Sequence, residues 1–254
     1  MQYKIIVYGL SDIGLVRQNN EDYWTQLDED QLYVLADGMG GHRAGEVASR
    51  EAAETVCLSF KDRYAACDKT LEGSMEALYD AICDVNRVIY RMGRQYNELR
   101  GMGTTLCCVQ LHPDGLIYGH VGDSRIYRFR HQHLERLTRD HSLLRELIDL
   151  GQLSEQQADD FLYKNILTKA IGTEPSIEPS VFIDSLEVDD LILMCTDGLT
   201  DMLTDEDIET ILKQTADKEA ADKLLQTAID RGGCDNVTIV LIKIQGKNES
   251  AHLS

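Results

Sequence analysis

Leu32-Tyr33-Val34-Leu35-Ala36-Asp37-Gly38 and Leu191-Ile192-Leu193-Met194-Cys195-Thr196-Asp197-Gly198 share one design, a nearly all-apolar run that ends in Asp-Gly. Runs of this length and composition read as buried strands, and each would deliver a carboxylate at its tip. The glycine that follows removes a side chain from a crowded spot, so the backbone can turn sharply and its carbonyl can approach a ligand. One Asp-Gly marks an ordinary turn. Two on matching strands ask for a further reason. A third carboxylate, Asp235, stands in Arg231-Gly-Gly-Cys-Asp235-Asn236-Val237-Thr238, just before the apolar run Val237 to Ile242, and Glu21 and Asp22 follow Asn20. Acidic groups gathered at strand edges raise one another's pKa, so they call for protonation or for hard cations. Oxygen-only ligands select magnesium or manganese, whose octahedral shell keeps several waters, one of them able to ionise near neutral pH. The alternative is that the same residues cap turns and helices in water.

Outward from these runs, strand-like segments cover residues 3–10, 31–36, 104–111, 115–121, 124–130, 181–187, 190–196 and 237–244. Met75, Leu78, Ile82, Val85, Ile89 and Met92 recur at alternating spacings of three and four and draw an apolar stripe down a helix. Further helices are expected from Ala44 to about Cys57, from Asp205 to Leu212 with Thr204 as N-cap, and from Glu219 to Ile229. Strands in consecutive groups separated by long helices favour an α+β fold over a repeating βαβ unit. One domain over residues 1–245 is expected, with a flap at 140–180 where helix and polar loop alternate, and a frayed tail from Gly246.

Composition narrows the function. The chain has 254 residues, 25 Lys and Arg against 44 Asp and Glu, and a net charge of -19, the wrong sign for nucleic acid as the main partner. A phosphate could still bind beside a local positive charge, which divalent metals would supply. The seven cysteines form no C-x-x-C pair, which argues against a disulfide framework or structural zinc and suits a reducing cytoplasm. No apolar run approaches the roughly 20 residues that span a bilayer, and the N-terminus lacks the pattern of a secretory signal.

The motifs, in order, are Arg17-Gln-Asn-Asn-Glu21-Asp22, Ala36-Asp37-Gly38-Met39-Gly40-Gly41-His42-Arg-Ala-Gly45-Glu46, Gly103-Thr104-Thr105, Gly119-His-Val-Gly122-Asp123-Ser124-Arg125, Leu137-Thr-Arg-Asp140-His141-Ser142, Cys195-Thr-Asp197-Gly198-Leu199 and Gly233-Cys-Asp235-Asn236. Together they resemble the metal-dependent protein phosphatases of the PPM type (type 2C), in particular the compact bacterial enzymes. The resemblance implies a four-layer αββα sandwich, two mostly antiparallel sheets flanked by helices with the metal centre at one end. It implies hydrolysis of phosphoserine and phosphothreonine on proteins, the targets of a serine/threonine kinase and the kinase itself among them, by a monomeric enzyme. Asp37 would bridge two manganese or magnesium ions, with the Gly38 carbonyl on one and Asp197 and Asp235 on the other. Glu21 would bind directly or through water, Asp22 would orient waters from behind the ligands, and Asp123 with Asp197 would hold a third, weaker ion.

Arg17 would grip the phosphate, since its fork of donors matches phosphate oxygens. A hydroxide bridging the metals would attack phosphorus in line, without a covalent intermediate. Animal relatives carry a histidine two residues after the bridging aspartate, where this chain has Met39. His42 is then either the proton donor to the leaving oxygen or an anchor for its loop, and a metal-bound water is the other donor.

Competing readings are weaker. Gly40 to Gly45 has glycines at P-loop spacing, but Glu46 and Val47 stand where Lys and Ser or Thr are needed. Cys57 to Arg63 has the spacing of thiol phosphatases without the glycines of a phosphate nest, and reads as lying near a helix end. Asp140-His141-Ser142 has triad residue types, but neighbours in sequence rarely point at one another. Gly122 to Arg125 also fits an ordinary hairpin turn, and His120, His131 and His133 read as strand and loop surface residues. A phosphoprotein-binding domain without turnover is the alternative of another class. The complete set of Arg17, Glu21, Asp22, Asp37, Asp197 and Asp235 favours catalysis over it.

Overall fold

The computed structural model describes residues 3–40, 44–154, 157–158 and 161–247. The chain opens with strands β1 (Tyr3–Asp12), β2 (Asp22–Leu27) and β3 (Leu32–Met39), followed by two long helices, α1 (Ala44–Ala66) and α2 (Leu71–Gln95). Five strands come next: β4 (Gly103–Thr104), β5 (Leu106–His112), β6 (Gly115–Val121), β7 (Arg125–Arg130) and β8 (His133–Arg136). A short helix α3 (Leu143–Asp149) leads through irregular chain to β9 (Ser180–Asp184) and β10 (Leu191–Cys195). Helices α4 (Asp197–Thr200), α5 (Asp205–Gln214) and α6 (Asp217–Asp230) then precede the last strand, β11 (Val237–Lys247).

The strands form two antiparallel sheets, one in the order β1-β11-β10-β7-β8 and the other β2-β3-β5-β6-β9 with β4 beside β3. Side chains alternate between the faces of each strand. Leu32, Val34 and Ala36 of β3 therefore pack under α1 and α2 with Val56, Phe60, Leu78 and Ile82. Tyr33 and Leu35 point the other way and meet Ile192, Met194, Val240 and Ile242 in a core between the sheets. On the far side Leu193, Cys195, Ile239 and Leu241 pack against Ile208, Leu212 and Leu224 of α5 and α6. The result is the expected αββα sandwich with three apolar layers.

The same alternation explains one polar end. Asp37 continues the inward series of Tyr33 and Leu35, Thr196 continues Ile192 and Met194, Thr238 precedes Val240 and Ile242, and Asp22 precedes Trp24 on β2. Each strand exchanges apolar for polar residues at the same end of the inter-sheet core.

Several boundaries differ from expectation. The strand β3 does not stop at Asp37 but runs on to Met39, because Gly38 and Met39 pair with Thr104 and Gly103. Strands β2 and β8 carry too little apolar alternation to stand out in sequence. Gly246 and Lys247, expected in the tail, pair with Lys4 and Tyr3, and residues 248–254 lie outside the described ones. Gly122–Ser124 is no hairpin, since β6 and β7 belong to different sheets and the segment crosses between them. Cys57 sits in the middle of α1 rather than near its end. Thr204 caps α5 as expected, in a reciprocal box with Asp207.

Candidate metal centre

Asp22 and Asp37 stand directly opposite each other in the β2–β3 ladder, a pairing of like charges that destabilises a sheet unless something compensates. The backbone around Asp37 is held on both sides. Its N–H donates to Thr105 Oγ1 (2.9 Å), and its carbonyl accepts from Thr105 N–H (2.8 Å) and Thr104 Oγ1 (2.8 Å). Thr105 Oγ1 is in turn 2.8 Å from Ser124 Oγ, which ties β3 to the crossing segment that carries Asp123. Asp197 is the first residue of α4. Thr196 occupies the N-cap position but does not cap: its hydroxyl donates to Asp22 Oδ2 (2.9 Å) and accepts from Thr238 N–H (3.0 Å).

Gly38 and Gly198 are required by close approach. A Cβ on Gly38 would stand 2.1 Å from Gly45 O, and one on Gly198 2.0 Å from Asn236 O. The two Asp-Gly pairs thus let β3 and α4 press against α1 and the 235–236 loop, which draws the carboxylates together.

The Asn236 side chain reaches both ends of the loop of residues 13–21, and the Leu15 N–H donates to Gly233 O at 2.8 Å. The Asn236 amide donates to Ile13 O and Asn19 O, each at 3.0 Å, and its Oδ1 accepts from Glu21 N–H at 2.8 Å. This sets Arg17 so that Nη2 donates to Asp235 Oδ2 at 2.6 Å. Glu21 Oε1 accepts from the Asn19 amide at 3.0 Å. Arg17, Glu21, Asp37, Asp123, Asp197 and Asp235, with Gly38, line one cavity of about 550 Å³. Asp22 does not reach it; it is 8% exposed and lies beneath the floor.

Burial, then the charges of Asp22, Asp197, Asp123 and Asp235, push Asp37 well above the usual carboxylate range. Asp197 is raised likewise, by burial and then by Asp123 and Asp235. Burial carries Asp22 up to about 7 against the hydrogen bonds from Thr238 and Thr196, and burial with Asp140 carries Asp123 to about 6. Asp140, although half-buried, stays below its ordinary value because Arg125 and Arg136 hold it.

Two buried carboxylate oxygens, Asp22 Oδ1 and Asp197 Oδ1, have no hydrogen-bond partner among the described residues. Leaving buried acceptors unmet is costly. The donor set is oxygen only and repels itself, which fits a hard divalent cation. Among the described residues no three such side chains are already gathered tightly around one point. Asp235 is engaged with Arg17 and with Asn236 N–H, and Asp22 with Thr196.

Of the residues singled out in sequence, His42 lies outside the described ones; the others meet at this end of the sandwich. The supporting hydroxyls of Thr196 and Thr238 and the Asn236 amide escaped the sequence reading. Their signal was a polar residue on the inward parity of an otherwise apolar strand, or directly beside an acidic one. His120 is not a surface residue. It is buried, stacks on His141 with centroids 4.6 Å apart, and its Nε2 lies 2.8 Å from Arg139 O. His141 Nδ1 accepts from Gly122 N–H at 3.2 Å, which places its ring proton on the Nε2 that faces Ser180 Oγ. The Cys57 thiol is pushed up to about 12 by burial and then by Glu54, the reverse of a thiolate nucleophile.

A sequence profile of protein phosphatase 2C matches residues 14–231. The serine/threonine phosphatase stp of Listeria monocytogenes is 36% identical over 237 residues, covering 92% of this chain and 93% of that protein. The solved structure of a Streptococcus agalactiae serine/threonine phosphatase is 37% identical with a TM-score of 0.85, over 95% of this chain and 100% of that one. The catalytic domain of the phosphatase PstP, solved in complex with 2 manganese ions, is 32% identical with a TM-score of 0.81, over 95% of this chain and 98% of that one. With the profile spanning most of its length and these relatives alike end to end, the chain belongs to the protein phosphatase 2C family.

Proposed function

We propose that this chain removes phosphate from phosphoserine and phosphothreonine of proteins, with manganese or magnesium held by Asp37, the Gly38 carbonyl, Asp197, Asp235 and Glu21. The observation that carries the reading is the gathering of Glu21, Asp37, Asp123, Asp197 and Asp235 with Arg17 around one cavity. Bound divalent cations supply neutralising charge and an activated water as nucleophile. Arg17 turns its guanidinium fork to the phosphoryl oxygens. Asp22, under the floor and fixed by Thr196, orients the groups above it. Thr105 and Ser124 hold the Asp37 backbone and the Asp123 segment at one spacing, so the carboxylates need not reorganise when charge develops on phosphorus. Asp123, shared between this cavity and its neighbour, would join Asp197 around a third cation. His42 is the candidate to protonate the leaving oxygen or to anchor its loop. The substrates would include targets of a serine/threonine kinase and the kinase itself, in the cytoplasm, where the described cysteines would stay free.

The test is hydrolysis of an aryl phosphate in manganese or magnesium. Chelator should abolish it, and Asp37→Asn or Asp235→Asn should lower kcat by about two orders of magnitude or more. Activity that survives chelator but disappears in Cys57→Ser would overturn the proposal.

A further inference from the structure

Two arginines stand apart from the rest. Every other described arginine pairs with a carboxylate or, for Arg91, donates to a backbone carbonyl. The side chains of Arg94 and Arg100 have neither a hydrogen bond nor an ion pair among the described residues. That is unexpected in a chain with 44 acidic side chains against 25 basic ones, where carboxylates are within reach of most surface cations. Both arginines are exposed, and both line the same cavity of about 530 Å³, together with Tyr90, Asn97, Gly101 and Thr173.

This second cavity adjoins the catalytic one. Thr173 lines both, and the wall between them is thin where Met102 Cα comes within 3.4 Å of the position a Cβ would take on Gly40. Their relative position is fixed by Asn86, a fully buried residue of α2. Its Oδ1 accepts from Gly172 N–H at 2.8 Å and its amide donates to Glu174 O at 3.0 Å. Gly172 must be glycine there, with φ +86° and a would-be Cβ 2.3 Å from Ile89 Cγ2. A buried clamp and a forced glycine therefore hold the Thr173 wall against the helix that carries Arg94.

We propose that this cavity is a subsite for a second anionic group, phosphoryl or carboxylate, carried by the same protein substrate whose phosphorylated residue enters the catalytic cavity. The proposal rests on the phosphatase reading above. Guanidinium groups without partners offer planar pairs of donors that match such groups, and the surrounding excess of negative charge makes any positive patch selective.

The test uses the full chain in manganese and phosphothreonine peptides in two forms. One has uncharged neighbours, and the other carries glutamates or a second phosphoryl group two to six residues to either side. Wild type should prefer the second form through a lower KM, by about tenfold, the order expected of two exposed charge contacts. Arg94→Gln with Arg100→Gln should erase the preference while leaving aryl phosphate hydrolysis unchanged, and the paired lysine variant should keep part of it. The preference should also shrink in high salt. Equal selectivity in wild type and the glutamine variant, with aryl phosphate still hydrolysed, overturns the subsite alone. So does a variant altered only in its inhibition by free inorganic phosphate. Failure of wild type to hydrolyse the aryl phosphate would sink the phosphatase reading and the subsite with it.

Discussion

A helix N-cap is normally spent on the first turn, yet the hydroxyl of Thr196 is spent on Asp22. The exchange trades a modest local gain for one of the few donors that reach a buried carboxylate beneath the catalytic floor. Thr196→Val keeps the shape and removes the donor, leaving Asp22 Oδ2 and Thr238 N–H without their partner. The expected cost is about 1–3 kcal/mol of unfolding free energy, measured by urea titration, whereas Thr196→Ser should recover most of it. If Asp22 orients the groups above it, kcat should fall in the valine variant while KM for the aryl phosphate changes little. Asn236 works the same way at the opposite wall. One amide bonds both ends of the loop that presents Arg17, so a residue next to Asp235 in sequence helps to place the arginine.

Among elements, the two Asp-Gly pairs do similar work by different means. In β3 the glycine stays within the strand and lets α1 approach; after β10 it sits in a helical turn and lets the 235–236 loop approach. Alanine at either position would put a methyl about 2 Å from a backbone carbonyl oxygen, and backbone cannot step aside as a flexible side chain can. Gly38→Ala and Gly198→Ala should each lower stability by about 1–3 kcal/mol and activity by a larger factor, because the shift falls on Asp37 or Asp197. Thermal unfolding alongside aryl phosphate turnover would separate the two effects. The segment after β6 shows why such detail needs the fold. Gly122-Asp123-Ser124 has the composition of a turn, but it passes from one sheet to the other, and only that crossing brings Asp123 to the rim of the cavity that Asp37 and Asp197 line.

For the molecule as a whole, net charge and the site act together. Folded-state values of about 6 for Asp123 and about 7 for Asp22, with Asp37 and Asp197 also raised, lie above the roughly 4 of an unfolded carboxylate. A group with a raised folded pKa binds its proton more tightly when folded, so its ionisation penalises the fold as pH rises from about 4 through 7. In chelator the protein should therefore melt higher at pH 5 than at pH 8, as far as these groups decide, and Asp37→Asn should reduce the difference. Saturating manganese at pH 8 should raise the melting temperature by roughly 5–10 °C, the effect of a ligand at about a hundred times its Kd on a domain of this size. A melting point indifferent to manganese would contradict the centre directly. From the amino-acid sequence alone came the α+β class, the long apolar stripe of α2, the cap of α5 and the carboxylates themselves, because period, capping and Asp-Gly chemistry are local. Strands β2 and β8, the burial of His120, the hydroxyls under the floor and the placing of Arg94 and Arg100 in one cavity were decided only by the tertiary structure. Those features depend on which residues distant in sequence become neighbours, and that follows from how the two sheets stack and where the chain crosses between them.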